Sequence, residues 1–113
     1  MEALRRLTLR RRAAAITAHS LAFATRLREH SSEFAADAWE VFDGVGDELA
    51  TLARVERTSE RERRAIVAGL ESGLRRSGFS ETAQVCIVAR LAPRIMTGLT
   101  ISSDVAPLER LAV

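Results

Sequence analysis

Lysine, asparagine and tyrosine are absent from the 113 residues, and cysteine and tryptophan occur once each. A single cysteine, Cys86, excludes an internal disulfide framework and a multi-cysteine zinc site. Prolines number two and glycines six, too few for a collagen-like or loop-dominated chain. No run approaches the ~18 uncharged apolar residues that a membrane span requires. Only two histidines occur, His19 and His30. On one helix they would stand about 16 Å apart along the axis, too far for one ion. Neither belongs to a Glu-x-x-His pair, so the di-iron bundle signature is missing. No Gly-x-Ser-x-Gly, phosphate-cradling glycine loop or His-Glu-x-x-His is present. The chain is therefore read as a non-enzyme, with no cofactor and no metal expected.

What is present is globular: 47% hydrophobic and 28% charged residues, enough for one core and no more. One helical domain is expected over 1–100, with an irregular tail over 101–113. All 17 basic residues are arginine. Arg, Ala and Gly share GC-rich codons, so this bias points to a GC-rich bacterial or phage genome rather than to arginine-specific chemistry. The net charge of +2 conceals blocks. Residues 1–30 carry seven Arg against two Glu, 31–53 six acids and no base, and 54–76 seven Arg against four Glu. Opposite blocks in a nearly neutral chain point to segments that pair with each other or with a second copy.

Helical periodicity runs through nearly the whole chain. Leu9, Ala13, Ile16, Ser20, Phe23, Leu27, His30 and Phe34 follow a 4-3-4-3 spacing, a seam of about three and a half heptads. Arg10-Arg11-Arg12 before an Ala-rich stretch superficially fits an export signal. Thr17, His19 and Ser20 make its apolar part too polar, so a basic amphipathic helix is expected and the chain is read as cytoplasmic. Phe34, Ala38, Phe42, Val45, Leu49 and Leu52 predict a second helix over about 33–55. Gly44 and Gly46 predict a kink or break there, with Asp47 able to cap a restart. Ser59 and Glu62 form a capping box, so a third helix should start near Glu60 and stop near Ser77, with Gly78 at C′. Ser80 can cap a fourth. Val85, Val88, Ala92, Ile95 and Leu99 fit a helix kinked or ended before Pro93. The β-branched run at Val85–Val88 leaves a short strand pair over 83–101 as the alternative. The fold predicted is an all-α, four-helix, bundle-like domain with a long N-terminal hairpin.

Two short stretches resemble known families. Ala18-His19-Ser20-Leu21 resembles the start of the acceptor motif of histidine phosphotransfer domains, which would make His19 a phosphoryl acceptor. Ala22 and Phe23 stand where that motif has Lys and Gly. Thr58-Ser59-Glu60-Arg61-Glu62-Arg63-Arg64-Ala65-Ile66 resembles the opening of LuxR-type helix-turn-helix domains. There the apolar Val85–Ala89 run departs from a polar recognition helix.

Candidate sites are therefore surfaces. Arg54, Arg57, Arg61 and Arg64 are read as one ion-pairing or phosphate-binding face, diluted by Glu56, Glu60 and Glu62. Ala65, Gly69, Gly73 and Ser77 recur every four residues and form a groove for a close-packed helix. Cys86 in its apolar run reads as a buried, inert thiol. A partner interface is expected at Ile16, Phe23, Leu27, Phe34, Trp39, Phe42, Gly69 and Gly73, since tryptophan is favoured at interface hot spots. The acidic stripe Glu33, Asp37, Glu40 and Asp47 is expected beside an Arg-rich face from residues 1–12 or 54–64. The long first seam should overhang a compact domain and be covered by a second subunit. The sequence thus reads as a small regulatory or adaptor protein, homodimeric or higher, that associates with itself and another protein. Nucleic acid is the alternative partner.

Overall fold

In a computed structural model the chain folds into four helices, α1 (Glu2–His30), α2 (Phe34–Val55), α3 (Glu60–Arg76) and α4 (Glu81–Thr97). The structure describes residues 2–30 and 34–98, with side chains described for 2–22 and 39–98. The tail over 101–113 and Glu33 lie outside the described residues, as do the side chains of Phe23, Leu27, His30, Phe34 and Asp37. No strand occurs among the described residues, so residues 83–97 are helix and not a strand pair.

Contacts between named residues set the directions. Arg5 lies beside Glu62, Ala13 beside Gly69 and Thr17 beside Gly73, so α1 and α3 run parallel. Arg12 meets Glu56 beyond the end of α2, so α1 and α2 are antiparallel. Asp43 meets Arg90, Gly46 meets Leu91 and Ala50 approaches Gly98, so α2 and α4 run parallel. Arg63 reaches the Met96 carbonyl, which makes α3 and α4 antiparallel. Around the core the order is α1, α3, α4, α2, with α1 and α3 the most extensive pair.

The core side chains follow fours. In α1 the buried stripe is Leu9, Ala13, Thr17 and Leu21; in α3 it is Ile66, Leu70 and Leu74; in α4 it is Ile87, Leu91 and Ile95. The predicted 3-4 seams of α1 and α4 are thus rotated. Ile16 and Ser20 are only half-buried, and Val85 is exposed. Rows spaced by four are the ridges that interdigitate when both helices use i±4 packing. Gly69 and Gly73 create the groove for one such ridge. A methyl at Gly73 would stand 2.6 Å from the Thr17 Cβ, and one at Gly69 would meet the Arg10 carbonyl. Thr17 is buried without cost because its hydroxyl donates to the Ala13 carbonyl at 2.8 Å.

Two expected breaks do not occur. α2 runs unbroken through Gly44 and Gly46, and Asp47 lies inside it rather than capping a restart. Gly46 is where the Leu91 side chain of α4 comes closest, so packing outweighs the ~1 kcal/mol that a helical glycine costs. α4 likewise continues past Pro93 to Thr97. The carbonyl that loses a partner there belongs to exposed Ala89.

The helix ends follow local chemistry. The Ser59 hydroxyl accepts from the Glu62 N–H, and the Glu62 carboxylate accepts from the Ser59 N–H at 2.8 Å. That backbone hydrogen bond holds the Glu62 carboxyl below its usual range. α3 closes with Gly78 at φ +85°, Gly78 N–H donating to Arg75 O and Phe79 N–H to Leu74 O. This is the Schellman pattern expected for Gly78. The same pair of bonds ends α2, from Arg57 to Arg54 and from Thr58 to Ala53, but there Arg57 holds the left-handed conformation at φ +49°. Ser80 caps α4 through the Ala83 N–H.

Candidate functional site

The outward side of α3 is flanked by a basic groove against α1 and an apolar groove against α4. The basic groove, about 410 Å³, is lined by Arg6 and Arg10 from α1 and by Arg61 and Arg64 from α3, over a floor of Ala3, Leu7, Ala65 and Ala68. A second hollow of about 270 Å³ shares Leu7 and Arg10 and adds Arg11 and Arg76. No carboxylate lines either hollow. Among the described residues Arg6, Arg10, Arg11, Arg61 and Arg76 form no ion pair, while Arg64 pairs with exposed Glu60 at 2.7 Å.

This arrangement corrects the expected charge pairing in part. The principal helix pair joins the two basic blocks, 1–30 and 54–76, rather than a basic block to the acidic one. Small residues cause it, because Gly69 and Gly73 admit α1 to contact distance. Partial relief comes at one edge, where Arg5 pairs with Glu62 and Arg12 with Glu56 at 3.0 Å. Within the acidic block Asp43 pairs with α4 at the surface. It accepts from Arg90 at 2.8 and 2.9 Å and from Arg94 at 3.1 Å. Those arginines are on α4, outside residues 1–12 and 54–64, but Asp47 of the acidic stripe lines one hollow with Arg12 and Arg54, as expected. The Arg90 hydrogen bond, with both positive charges nearby, holds the Asp43 carboxyl below its usual range. Glu40 is exposed.

The apolar groove lies between α3 and α4. Glu71, Glu81, Gln84, Val85, Val88 and Ala89 line a hollow of about 510 Å³. It continues through Glu71 into one of about 390 Å³ lined by Arg64, Val67, Ala68, Ala92 and Met96. Val85 is 68% exposed. Cys86, beside it, is exposed, contrary to the expectation of a buried thiol, because the core stripe of α4 passes through Ile87.

The remaining candidates divide. Phe42 is a core residue at 6% exposure, with its ring edge-on to Trp39 and to Phe79. Trp39 is 39% exposed, and the Arg90 guanidinium sits 4.8 Å from its ring centroid. Asp43 holds that guanidinium in place, which fixes the cation–π contact. Gly69 and Gly73 are buried against α1 of the same chain, so α1 occupies the groove assigned to a partner. Ile16 packs half-buried against the core. Arg54, Arg57, Arg61 and Arg64 do not share one helix face. Arg54 lies in the last turn of α2, Arg57 lies in the connection, and only Arg61 and Arg64 reach the basic groove. His19 is exposed on α1.

The joining of Arg6, Arg10, Arg11 and Arg76 with Arg61 and Arg64 is not visible in the periodicity. The two like-signed blocks and the small-residue row of α3 are its signals. Among the described residues no group of three or more His, Cys, Asp or Glu side chains could hold a metal, and no helix is long and apolar enough to cross a membrane. The chain matches no family model, no curated protein and no solved structure.

Proposed function

We propose that the chain is a non-enzymatic helical binding module that acts by protein–protein association, first of all with a second copy of itself. The observation that carries this reading is the α3/α4 strip, where Val85 stands exposed above Val88, Ala89, Ala92 and Met96. Buried apolar surface contributes roughly 25 cal/mol per Å², so covering this strip favours association. Its charge layout suits a copy of the same surface. Glu81 stands at one end, Glu71 near the middle and Arg64 at the other end. A two-fold axis through the middle places the Glu81 end of one strip over the Arg64 end of the other, as in an isologous dimer, and brings the two Glu71 side chains near the axis, where they must turn outward to solvent. As a regulatory or adaptor protein, it would work through what the paired surface presents or covers.

Val85→Arg tests this at the strip itself. The side chain is exposed, so the isolated fold should persist by circular dichroism. Sedimentation velocity should show the variant as monomer at concentrations where the parent chain is dimer. An unchanged sedimentation coefficient in the two proteins would contradict the assignment of the strip.

A further inference from the structure

We propose that the α1/α3 arginine seam binds the phosphodiester backbone of a nucleic-acid duplex, without reading its sequence. The inference goes beyond the dimer reading. It requires no self-association, and its grooves share only Arg64 and Ala68 with the apolar strip.

The first ground is electrostatic. Folding places two basic helices side by side, so that Arg6, Arg10, Arg11, Arg61, Arg64 and Arg76 converge on one seam with no carboxylate in its lining. Side chains that only solubilise a surface are normally interspersed with the opposite sign. Glu62 pairs with Arg5 and Glu56 with Arg12 at the edge of this face, and exposed Glu60 pairs with Arg64, which leaves the other five seam arginines without an ion pair among the described residues. A local arrangement that works against the fold is where function is expected. Like charges set together by folding are relieved by an anionic ligand.

The second ground is the chemistry and reach of the seam. Guanidinium groups match phosphate oxygens in a forked geometry and stay charged at all physiological pH. From Arg61 to Arg76, fifteen steps along α3, the seam spans about 22 Å at 1.5 Å per residue. That length covers roughly six base-pair steps at 3.4 Å each. The floor is alanine, serine and a single leucine. It therefore offers no aromatic platform for unstacked bases, which favours a duplex over a single strand. Nor does it offer asparagine or glutamine to read adenine edges, and the arginines, spread along two helices packed side by side rather than on one projecting helix, are placed to follow the backbone. A lipid surface fits less well, since Leu7 is the one large apolar side chain in the lining.

Fluorescence anisotropy with labelled 20-base-pair DNA duplexes of two unrelated sequences tests the proposal. Both should bind at 50 mM salt with affinities within about threefold of each other. Log affinity should fall linearly with log salt, with a slope near −5 if the six arginines each neutralise one phosphate. Arg6→Gln with Arg10→Gln should make that slope shallower by about two and weaken binding at least tenfold. Arg54→Gln with Arg57→Gln, the same change in net charge off the seam, should leave the slope unchanged. Circular dichroism checks that both variants fold. The proposal fails if no duplex binds at 50 mM salt, or if the two double variants lose affinity equally. It also fails if binding is confined to phosphatidylserine vesicles or to single strands. Repeating the titration with Val85→Arg separates it from the dimer reading: loss of the dimer with the salt slope retained leaves the seam standing alone.

Discussion

Gly69 of α3 faces Ala13 of α1 so closely that a methyl group on the glycine would stand 2.7 Å from the alanine Cβ. The same methyl would run into the Arg10 carbonyl, so neither helix can yield by rotating a side chain. Gly69→Ala should therefore lose about 2–3 kcal/mol of stability, although alanine is the better helix former by about 1 kcal/mol. Gly44 provides the contrast. It is exposed in the middle of α2, and a methyl group there would have nothing within 4 Å. Gly44→Ala should gain about 0.5–1 kcal/mol. Urea unfolding midpoints check both, and shifts in the same direction would contradict the packing argument.

Arg57 holds the left-handed conformation that ends α2, at φ +49°. Glycine adopts it without the steric penalty of a Cβ. Arg57→Gly should stabilise by about 0.5–1 kcal/mol, whereas Arg54→Gly, inside the last turn of α2, should cost about 1 kcal/mol. Thermal melting of the two variants distinguishes a conformational effect from the loss of a positive charge, which they share.

Asp43 accepts three hydrogen bonds from Arg90 and Arg94, and its carboxyl is held below the usual 3.8. Asp43→Asn should cost about 1–2 kcal/mol at neutral pH. A carboxyl lowered by folding stabilises above its unfolded value and loses that contribution as pH falls through its folded value. The difference between parent and variant should thus be full at pH 6 and shrink progressively below 3.8. Urea unfolding at pH 6 and at successively lower pH measures it. The Trp39 fluorescence of the variant should also change, because Arg90 loses the carboxylate that seats it over the ring.

Much of the fold is legible in local chemistry. Ser59 with Glu62, Gly78 and Ser80 announce the end of α3 and the starts of α3 and α4, because caps are satisfied within a few residues. The long-range features are not legible in this way. Gly44, Gly46 and Pro93 weaken a helix considered alone, and the neighbours that stabilise α2 and α4 lie dozens of residues away. The α1 and α4 stripes read in threes and fours, while packing selects rows of four, which leaves Val85 outside and buries Thr17. At the site, Arg61 and Arg64 are recognisable as basic residues on one helix. Their companions Arg6 and Arg10 join them only because Gly69 and Gly73 admit α1. Charge blocks alone suggest the opposite pairing, since sequence charge does not report backbone approach distance.

The association reading rests on the α3/α4 strip being covered in solution. Light scattering coupled to size exclusion, across a tenfold range of loading concentration, measures this directly. The account predicts a mass of twice the 12.4 kDa chain, falling toward that of the single chain on dilution. A monodisperse 12.4 kDa species at every concentration would contradict it.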